Sequence, residues 1–281
     1  YQLGYIDYAV DPFFGEDTVR ILDSDVSRAW PISDAGLGVF AYSLEALMGY
    51  MGGTSRWRTM PWMVTFFGIL VVPLGAVSIF LVIMQPVAVG AWSTIALITA
   101  AAMLVMIPLT LDEVVAMGQF VLRRRREGRS LWRTFIYGDT VEGGGPDERS
   151  PSFPAPPRRA LAASVWGVTL PWTLLVSAGI GMWLMAAPAL LGTTSTAADS
   201  DHLVGALVVC VALIATAEVG RALRFLNMAF GAWLLVAPWM LEGASTGTIV
   251  SDGVAGIALM ALTLPRGQVV ESYGGAERFI R

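Results

Sequence analysis

The chain has 281 residues, of which 55% are hydrophobic and 14% are charged, with a formal net charge of −4 and a mean hydropathy of +0.63. Soluble domains carry about 25% charged residues, so this composition excludes an ordinary soluble protein and indicates an integral membrane protein with several spans. The single cysteine, Cys210, excludes an internal disulfide or a dithiol relay, and we expect it to fill space within a helix.

Residues 7–34 are predicted to lie outside the hydrocarbon layer. Residues 1–6 are typical of the end of a helix that begins upstream. Residues 7–34 contain seven acidic residues and two arginines, together with aromatic side chains that favour the membrane interface: Phe13, Phe14 and Trp30. We expect this segment to form a cap over the ends of the helices that follow.

Three spans are predicted in the first half of the chain, near residues 35–51, 60–84 and 91–113. Residues 60–84 carry no charge, and at ~1.5 Å per residue they are long enough to cross a ~30 Å hydrocarbon layer. A tight turn at Gln85 and Pro86 joins this helix to the next.

A run of four arginines follows the third predicted span: Arg123, Arg124, Arg125 and Arg126. We expect the run to anchor the chain at the membrane surface, to bind anionic lipid head groups, and to pair with Asp112 and Glu113. Residues 136–159 are rich in glycine and proline, which predicts a linker between two membrane domains.

The second half of the chain repeats itself. Residues 181–191 match residues 231–241 fifty positions later, and Asp201-x-x-x-Gly205 matches Asp252-x-x-x-Gly256. The predicted spans lie near 168–190, 203–220, 225–241 and 253–265, so each unit is a helix hairpin. We expect Asp201 and Asp252 to act as N-caps of the second helix of each unit.

Arginine falls in alternate connections between the predicted spans. The connections 192–201 and 242–252 contain no basic residue and four acidic ones. The positive-inside rule therefore predicts that the arginine side, including the linker, is cytoplasmic, and that residues 7–34, 192–201 and 242–252 are periplasmic. The localisation expected is a bacterial inner membrane.

The first half resembles the vitamin K epoxide reductase family of quinone-linked membrane thiol oxidoreductases. The resemblance rests on Thr18-Val19-Arg20-Ile21-Leu22-Asp23-Ser24, Pro31, Gly36 or Gly38, Tyr42, and the hairpin over residues 60–120. It implies a four-helix bundle, whose first helix is truncated here. In the family a Cys-x-x-Cys pair opens the helix that here begins Ser93-Thr94-Ile95-Ala96, and Thr18 stands where a loop cysteine belongs. The degenerate positions Thr18, Ser93 and Ala96, with the upstream partner cysteine also absent, imply that no thiol chemistry remains.

The second half resembles the SPW repeat, a two-helix membrane unit, and two units imply a second four-helix bundle. The chain is thus predicted to be an all-α integral membrane protein. Its predicted divisions are a bundle with its cap over 1–135, the linker 136–159, two repeats over 160–266 and a cytoplasmic tail over 267–281.

A quinone pocket is the remaining site that the family resemblance implies, lined by Phe40, Tyr42, Glu45 and Trp92. Glu45 lies within a predicted span, where a carboxylate is costly unless it is paired, so it is either a proton carrier or a hydrogen-bonded structural acid. We predict a solvent-facing helix-start position for His202, no metal site, and membrane-interface anchoring for Trp183, Trp233 and Trp239.

Two functions follow as expectations. The first is a redox-inactive accessory or structural subunit of a larger respiratory, photosynthetic or other quinone-linked membrane complex, with lipids and other membrane subunits as partners and no nucleic acid. The alternative is a quinone-binding oxidoreductase of the disulfide-forming class. The residues fix no cofactor, and the candidates are a quinone or a bound lipid. A repeat-based transporter is a weaker third class, because charged residues at mid-membrane are lacking from the repeats.

Overall fold

The computed structural model describes residues 1, 5–29, 31, 34–52, 55–139, 158 and 165–271, and every regular element in these ranges is a helix. The first half contains α1 Asp17–Leu22, α2 Asp34–Tyr50, α3 Arg56–Thr59, α4 Pro61–Met84, a π-helical turn Gln85–Val89, α5 Thr94–Arg126 and α6 Leu131–Tyr137. The second half contains α7 Trp172–Leu191, α8 Ser195–Ile214, a 3-10 helix Glu218–Phe225, α9 Leu226–Met240 and α10 Thr246–Thr263.

Six helical segments among the described residues are long and apolar enough to cross a membrane: Pro61–Val89, Thr94–Arg126, Trp172–Leu191, Ser195–Ile214, Glu218–Met240 and Thr246–Thr263. The prediction of an all-α integral membrane protein is therefore confirmed. The span predicted over 35–51 corresponds to helix α2, whose 17 residues are not among these six segments.

The hairpin of α4 and α5 forms the core of the first half. Its apolar side chains make two clusters, one around Phe120 and one around Val71 and Met103. Gly75 allows close packing, because a Cβ there would lie 2.6 Å from Ile107 Cδ1. Helix α5 has 33 residues and continues well beyond the predicted end at 113, so its last turns carry the arginine run past the apolar segment.

The two hairpins of the second half, α7–α8 and α9–α10, pack into one four-helix bundle as predicted. Its central side chains come equally from both units: Leu184, Val204, Val208, Leu234, Ala255 and Leu259. Each hairpin is held close by a glycine pair. A Cβ on Gly205 would lie 2.6 Å from the carbonyl oxygen of Gly181, and Gly256 stands in the same relation to Gly231.

The predicted N-caps of the repeat helices are wrong. Helix α8 begins after Thr194, and α10 begins after Ser245, whose side chain forms a capping box with Thr248. Asp201 and Asp252 are instead the seventh residues of these helices, about 10 Å along the axis at ~1.5 Å per residue. The start of α10 is satisfied by the Ser245 hydroxyl, and at the start of α8 the amide of Ala197 donates to the Glu242 carbonyl at 3.1 Å, so neither aspartate is needed as a cap.

Helix α8 packs against both halves of the chain. Near its start, the His202 ring lies edge-on to Trp92 with centroids 6.0 Å apart. At its end, Ile214 packs against the cluster that contains Val71 and Met103. The first half therefore rests on a helix of the second.

Three predictions concern the ends and the middle of the chain. Tyr1, Tyr5 and Ile6 are not helical, so the expected end of an upstream helix is wrong for these residues. Most of the predicted linker, at 140–157 and 159, together with 160–164, Trp30 and 272–281, lies outside the described residues, and the domain limits stay a prediction. The described start of the tail is bound to the bundle, since Glu218 accepts the amides of Val270 and Glu271 at 2.8 and 2.9 Å.

Candidate functional site at the junction of cap and hairpin

Asp11 joins the cap to the start of α5. Its Oδ1 accepts hydrogen bonds from the amides of Phe13 and Phe14 at 3.0 and 2.9 Å, and from the Thr94 hydroxyl at 2.5 Å. Its Oδ2 accepts the Thr94 amide at 2.8 Å and lies 2.6 Å from the Thr18 hydroxyl. The carboxylate thus satisfies a free amide at the positive end of a long helix, where an anion is favoured.

The charge of Asp11 is stabilised by these donors. Burial favours the neutral acid, but the hydrogen bonds from Thr18, Thr94 and the amides of Phe14 and Phe13 outweigh burial and hold the pKa of the Asp11 carboxyl well below its usual range. Asp11 is therefore ionised at neutral pH.

The structure brings Thr18 and Ser93 together. Their hydroxyl oxygens lie 2.9 Å apart, and both side chains are buried. The amide of Ser93 donates to Gln85 Oε1 at 3.0 Å, which fixes the entry into α5. The cap therefore lies over the helix start, which is the placement that the resemblance implies.

Hydroxyls at this junction do not support the chemistry of thiols. A serine or threonine at its ordinary acidity neither attacks disulfides nor forms thiol adducts with quinones. Ala96, one turn further along α5, is partly buried and carries no reactive atom. The one cysteine, Cys210, is buried in α8 of the other half. The arrangement holds the cap in place by hydrogen bonds.

The four residues of the predicted quinone pocket have different surroundings. Phe40 is 69% exposed, whereas the Tyr42 hydroxyl bonds with Ser78 Oγ at 2.9 Å. Trp92 lies against His202 of the second half. Glu45 is 3% exposed, and its Oε1 has no hydrogen-bond partner among the described residues. Of the four residues, Tyr42 and Glu45 point toward neighbouring helices. The quinone pocket stays a prediction.

Glu113 pairs with Arg56, and the expected pairing with the arginine run is wrong. The Arg56 guanidinium donates from Nε and Nη2 to the two carboxylate oxygens at 2.5 and 2.6 Å. In the run itself Arg124 is buried and bonds to Glu127 and Asp139, while the other three arginines are exposed. The sequence misleads here because α3 brings Arg56 to the side of α5. Asp112, next in the chain to Glu113, lies against Gly167 of the second half.

His202 and the tryptophans occupy defined positions in the second half. His202 is partly buried against Trp92 inside α8, so the predicted solvent-facing helix start is wrong. Trp183 and Trp233 are 45% and 41% exposed, and each indole N–H is hydrogen bonded to a serine of the other repeat. Trp239 is 74% exposed.

Two functional residues were missed in the sequence. Asp11 is one of seven acids in the cap, and Gln85 is a polar residue in a turn, so no spacing or periodicity distinguishes either of them. Asp11 acquires its role by contacting Thr94, 83 positions later, and Gln85 by contacting Ser93, 8 positions later. The one available signal is general: the free amides at a buried helix start need acceptors, so some side chain of the cap is expected to accept from the first amides of α5.

The fold and the junction define an all-helical, multi-pass membrane protein made of two helical domains, the first of them capped by a polar segment. Residues 14–111 match the family model of the vitamin K epoxide reductase family, and residues 171–265 match the SPW repeat domain. The first half of the chain is thus similar to the vitamin K epoxide reductase family, and the second half is similar to the SPW repeat domain. Neither the curated proteins nor the solved structures gave a match.

Proposed function

We propose that this chain is a redox-inactive accessory subunit of a larger membrane complex. The observation that supports it is the junction of cap and hairpin, where Thr18 and Ser93 bond to each other at the place where the family resemblance implies thiols. Asp11 binds both the cap and α5, so the closed arrangement is retained without redox chemistry. A retained fold with a non-reactive junction favours a role in packing.

The proposed setting is a bacterial inner membrane with the arginine side in the cytoplasm. The contacts support a consistent sidedness. The cap, the start of α5 and the loop before α8 share one end, since Trp92 meets His202 there. The buried Arg221 and the segment that follows α10 lie together at the opposite end of the helices, since Arg221 donates to the carbonyl of Arg266 at 3.3 Å. Tagging one loop at each end and labelling intact cells tests the orientation.

Native purification tests the accessory role. The chain, purified in mild detergent from its own membranes, is expected to migrate with other membrane subunits that mass spectrometry identifies. A chain that migrates alone in every mild detergent contradicts the proposal. Redox inactivity is tested separately, because the natural chain should not support disulfide formation in a strain that lacks its own oxidase.

A quinone-binding oxidoreductase is the second candidate, and Glu45 favours it. A buried carboxyl with an oxygen that lacks a donor is suited to a ligand or a proton within a span. Extraction of the purified protein is expected to yield a quinone if this function holds, and Glu45→Gln should lower the yield while the exposed Glu127→Gln leaves it unchanged. A quinone-free extract from active membranes excludes this candidate.

A further inference from the structure

Asp201 and Asp252 meet inside the repeat domain. Each side chain is 2% exposed, the two carboxyl groups lie close enough to interact with each other, and Asp201 Oδ2 and Asp252 Oδ1 have no hydrogen-bond partner among the described residues. They come from α8 and α10, the second helices of the two repeats, and both are the seventh residue of their helix. The two aspartates are therefore equivalent positions of the two repeats.

The neighbouring contacts are reciprocal. The Trp183 indole N–H donates to Ser251 Oγ at 2.9 Å, and the Trp233 indole N–H donates to Ser200 Oγ at 3.0 Å. Each serine directly precedes one aspartate. These four side chains place the two carboxyl groups against each other and do not themselves neutralise them.

No basic group of the packed helices faces the pair. Helices α7 and α9 contain no titratable residue, and α10 contains only Asp252. The other titratable residues of α8 are Asp199, His202 and Cys210; the His202 ring lies against Trp92, and Cys210 is over two turns deeper. In the first half α4 carries no charge, and the charged residues of α5, from Asp112 onward, lie in its second half, away from the α5 start near His202. Glu242 in the loop before α10 is exposed.

Hydrogen bonding between two carboxyl groups requires a proton. An ionised carboxylate only accepts, so two ionised groups cannot bond to each other. Asp201 Oδ2 and Asp252 Oδ1 are buried, and neither oxygen has a donor among the described residues. Two uncompensated charges in this apolar bundle are also far costlier than one. A single bound proton supplies the missing donor and lowers the charge of the pair from −2 to −1.

We propose that Asp201 and Asp252 form a proton-binding site that links the two SPW repeats by one shared proton. The folded chain then binds more protons than the unfolded chain above pH ~4, where free aspartates ionise. Since stability falls with rising pH wherever the native state holds the extra proton, the repeat domain loses stability as the pair releases it.

The first experiment observes the proton on the intact protein in nanodiscs. The infrared spectrum of the natural chain at neutral pH, minus that of Asp201→Asn, is expected to show a protonated carboxyl band that shifts in heavy water. Glu45 contributes equally to both spectra and cancels. The same band should be lost in Asp252→Asn and kept in Asp199→Asn, which changes an acid on the same helix.

The second experiment follows the thermal midpoint of the same proteins against pH. The natural chain and Asp199→Asn are expected to lose several degrees between weakly acidic and alkaline pH. Asp201→Asn and Asp252→Asn should be nearly flat, because an amide N–H replaces the shared proton at every pH. If neither asparagine variant folds, Glu45→Gln replaces the natural chain, and the heavy-water shift of its remaining carboxyl band and the slope of its midpoint with pH decide the question.

Two results overturn the proposal. One is a natural chain without a protonated carboxyl band whose midpoint does not change with pH. The other is a midpoint at neutral pH that rises with sodium or potassium while the band is absent, which would assign the pair to a monovalent cation.

Discussion

Asp11 is the residue on which the cap depends. Because its pKa is depressed, the bonds it accepts are present at neutral pH and are lost as the carboxyl protonates in strong acid. In Asp11→Asn, an NH2 group replaces one acceptor oxygen and lies against hydrogen-bond donors, so the bonds to that oxygen are lost. We expect this variant to release the cap at neutral pH, so that proteases cleave near the exposed Phe13.

The matched control is Asp7→Asn, an exposed acid of the same segment. It should leave the cleavage pattern of the natural chain unchanged. Equal protection of the Asp11 and Asp7 variants would show that Asp11 does not hold the cap.

Thr18 and Ser93 are close enough for a covalent test. In a Cys210→Ala background, Thr18→Cys with Ser93→Cys should form a disulfide under mild oxidation, because the native hydroxyl oxygens lie 2.9 Å apart. The measurement is the mass shift after alkylation with and without reductant. Adding Ala96→Cys recreates the pair at the family spacing, yet we expect a trace of disulfide-forming activity at most, since one loop cysteine is still lacking.

Phe13→Cys with Ser93→Cys is the control, since the Phe13 side chain is exposed. A cross-link in the control and none in the Thr18 pair would contradict the placement of the cap.

The role of a residue was predictable where a sequence motif marks its position. It was not predictable where the role depends on a contact that forms only in the folded chain. Thr18 and Ser93 follow from the family pattern, and the structure brings them together. Asp11 has no such signal, since an acid in an acidic segment gains its role by meeting a helix start 83 positions away. Glu113 was assigned the wrong partner for the same reason.

At the scale of helices, the glycine pairs set the distance within each repeat hairpin. A methyl group on Gly256 would meet the carbonyl oxygen of Gly231 at 2.6 Å, whereas Gly253 on the same helix has open space. Gly256→Ala is expected to destabilise the fold by about 1–3 kcal/mol through overpacking. Gly253→Ala should instead stabilise α10 by about 0.5–1 kcal/mol. Unfolding in mixed detergent measures both, and equal effects would contradict this packing.

The ion pair of Arg56 and Glu113 ties α3 to α5. Both side chains are largely buried, at 13% and 21% exposure, so Arg56→Ala should cost roughly 3 kcal/mol by leaving Glu113 without its partner. Removing both residues should recover part of this loss. Arg20→Ala, which breaks an exposed pair with Asp17, should cost less than about 1 kcal/mol. Similar losses for the Arg56 and Arg20 variants would contradict the assignment.

The existence of the long helices was predictable, but their ends were not. Uncharged runs determine helices in a membrane, whereas their starts depend on which polar group satisfies the first amides. Helices α8 and α10 begin after Thr194 and Ser245, seven positions before the aspartates, so the predicted starts near 203 and 253 fall late by about two turns.

At the scale of the whole molecule, α8 holds the two halves together. A protease site inserted between residues 139 and 158 should allow cleavage, and the two fragments should still co-purify in mild detergent. His202 and Ile214 are two residues of α8 that contact the first half. The same cleaved chain with Ile214→Asp is expected to separate, and separation of the natural cleaved chain would contradict the contact.

The division into two membrane domains was predictable from the repeat and the break in composition. Their mutual packing was not, because the face of α8 that meets α4 and α5 is as apolar as a lipid-facing surface. Residues such as Ile214 carry no mark that separates a partner helix from lipid.

The reciprocal bonds of Trp183 with Ser251 and Trp233 with Ser200 have a consequence for the ancestry of the domain. Contacts in which each unit donates to the other in the same way are the isologous contacts of a two-fold homodimer. Joining two such hairpins in one gene converts that dimer into a single chain without altering any of these contacts. A substitution at one tryptophan is then compensated in the opposite repeat, so covariation should connect Trp183 with Ser251 and Trp233 with Ser200.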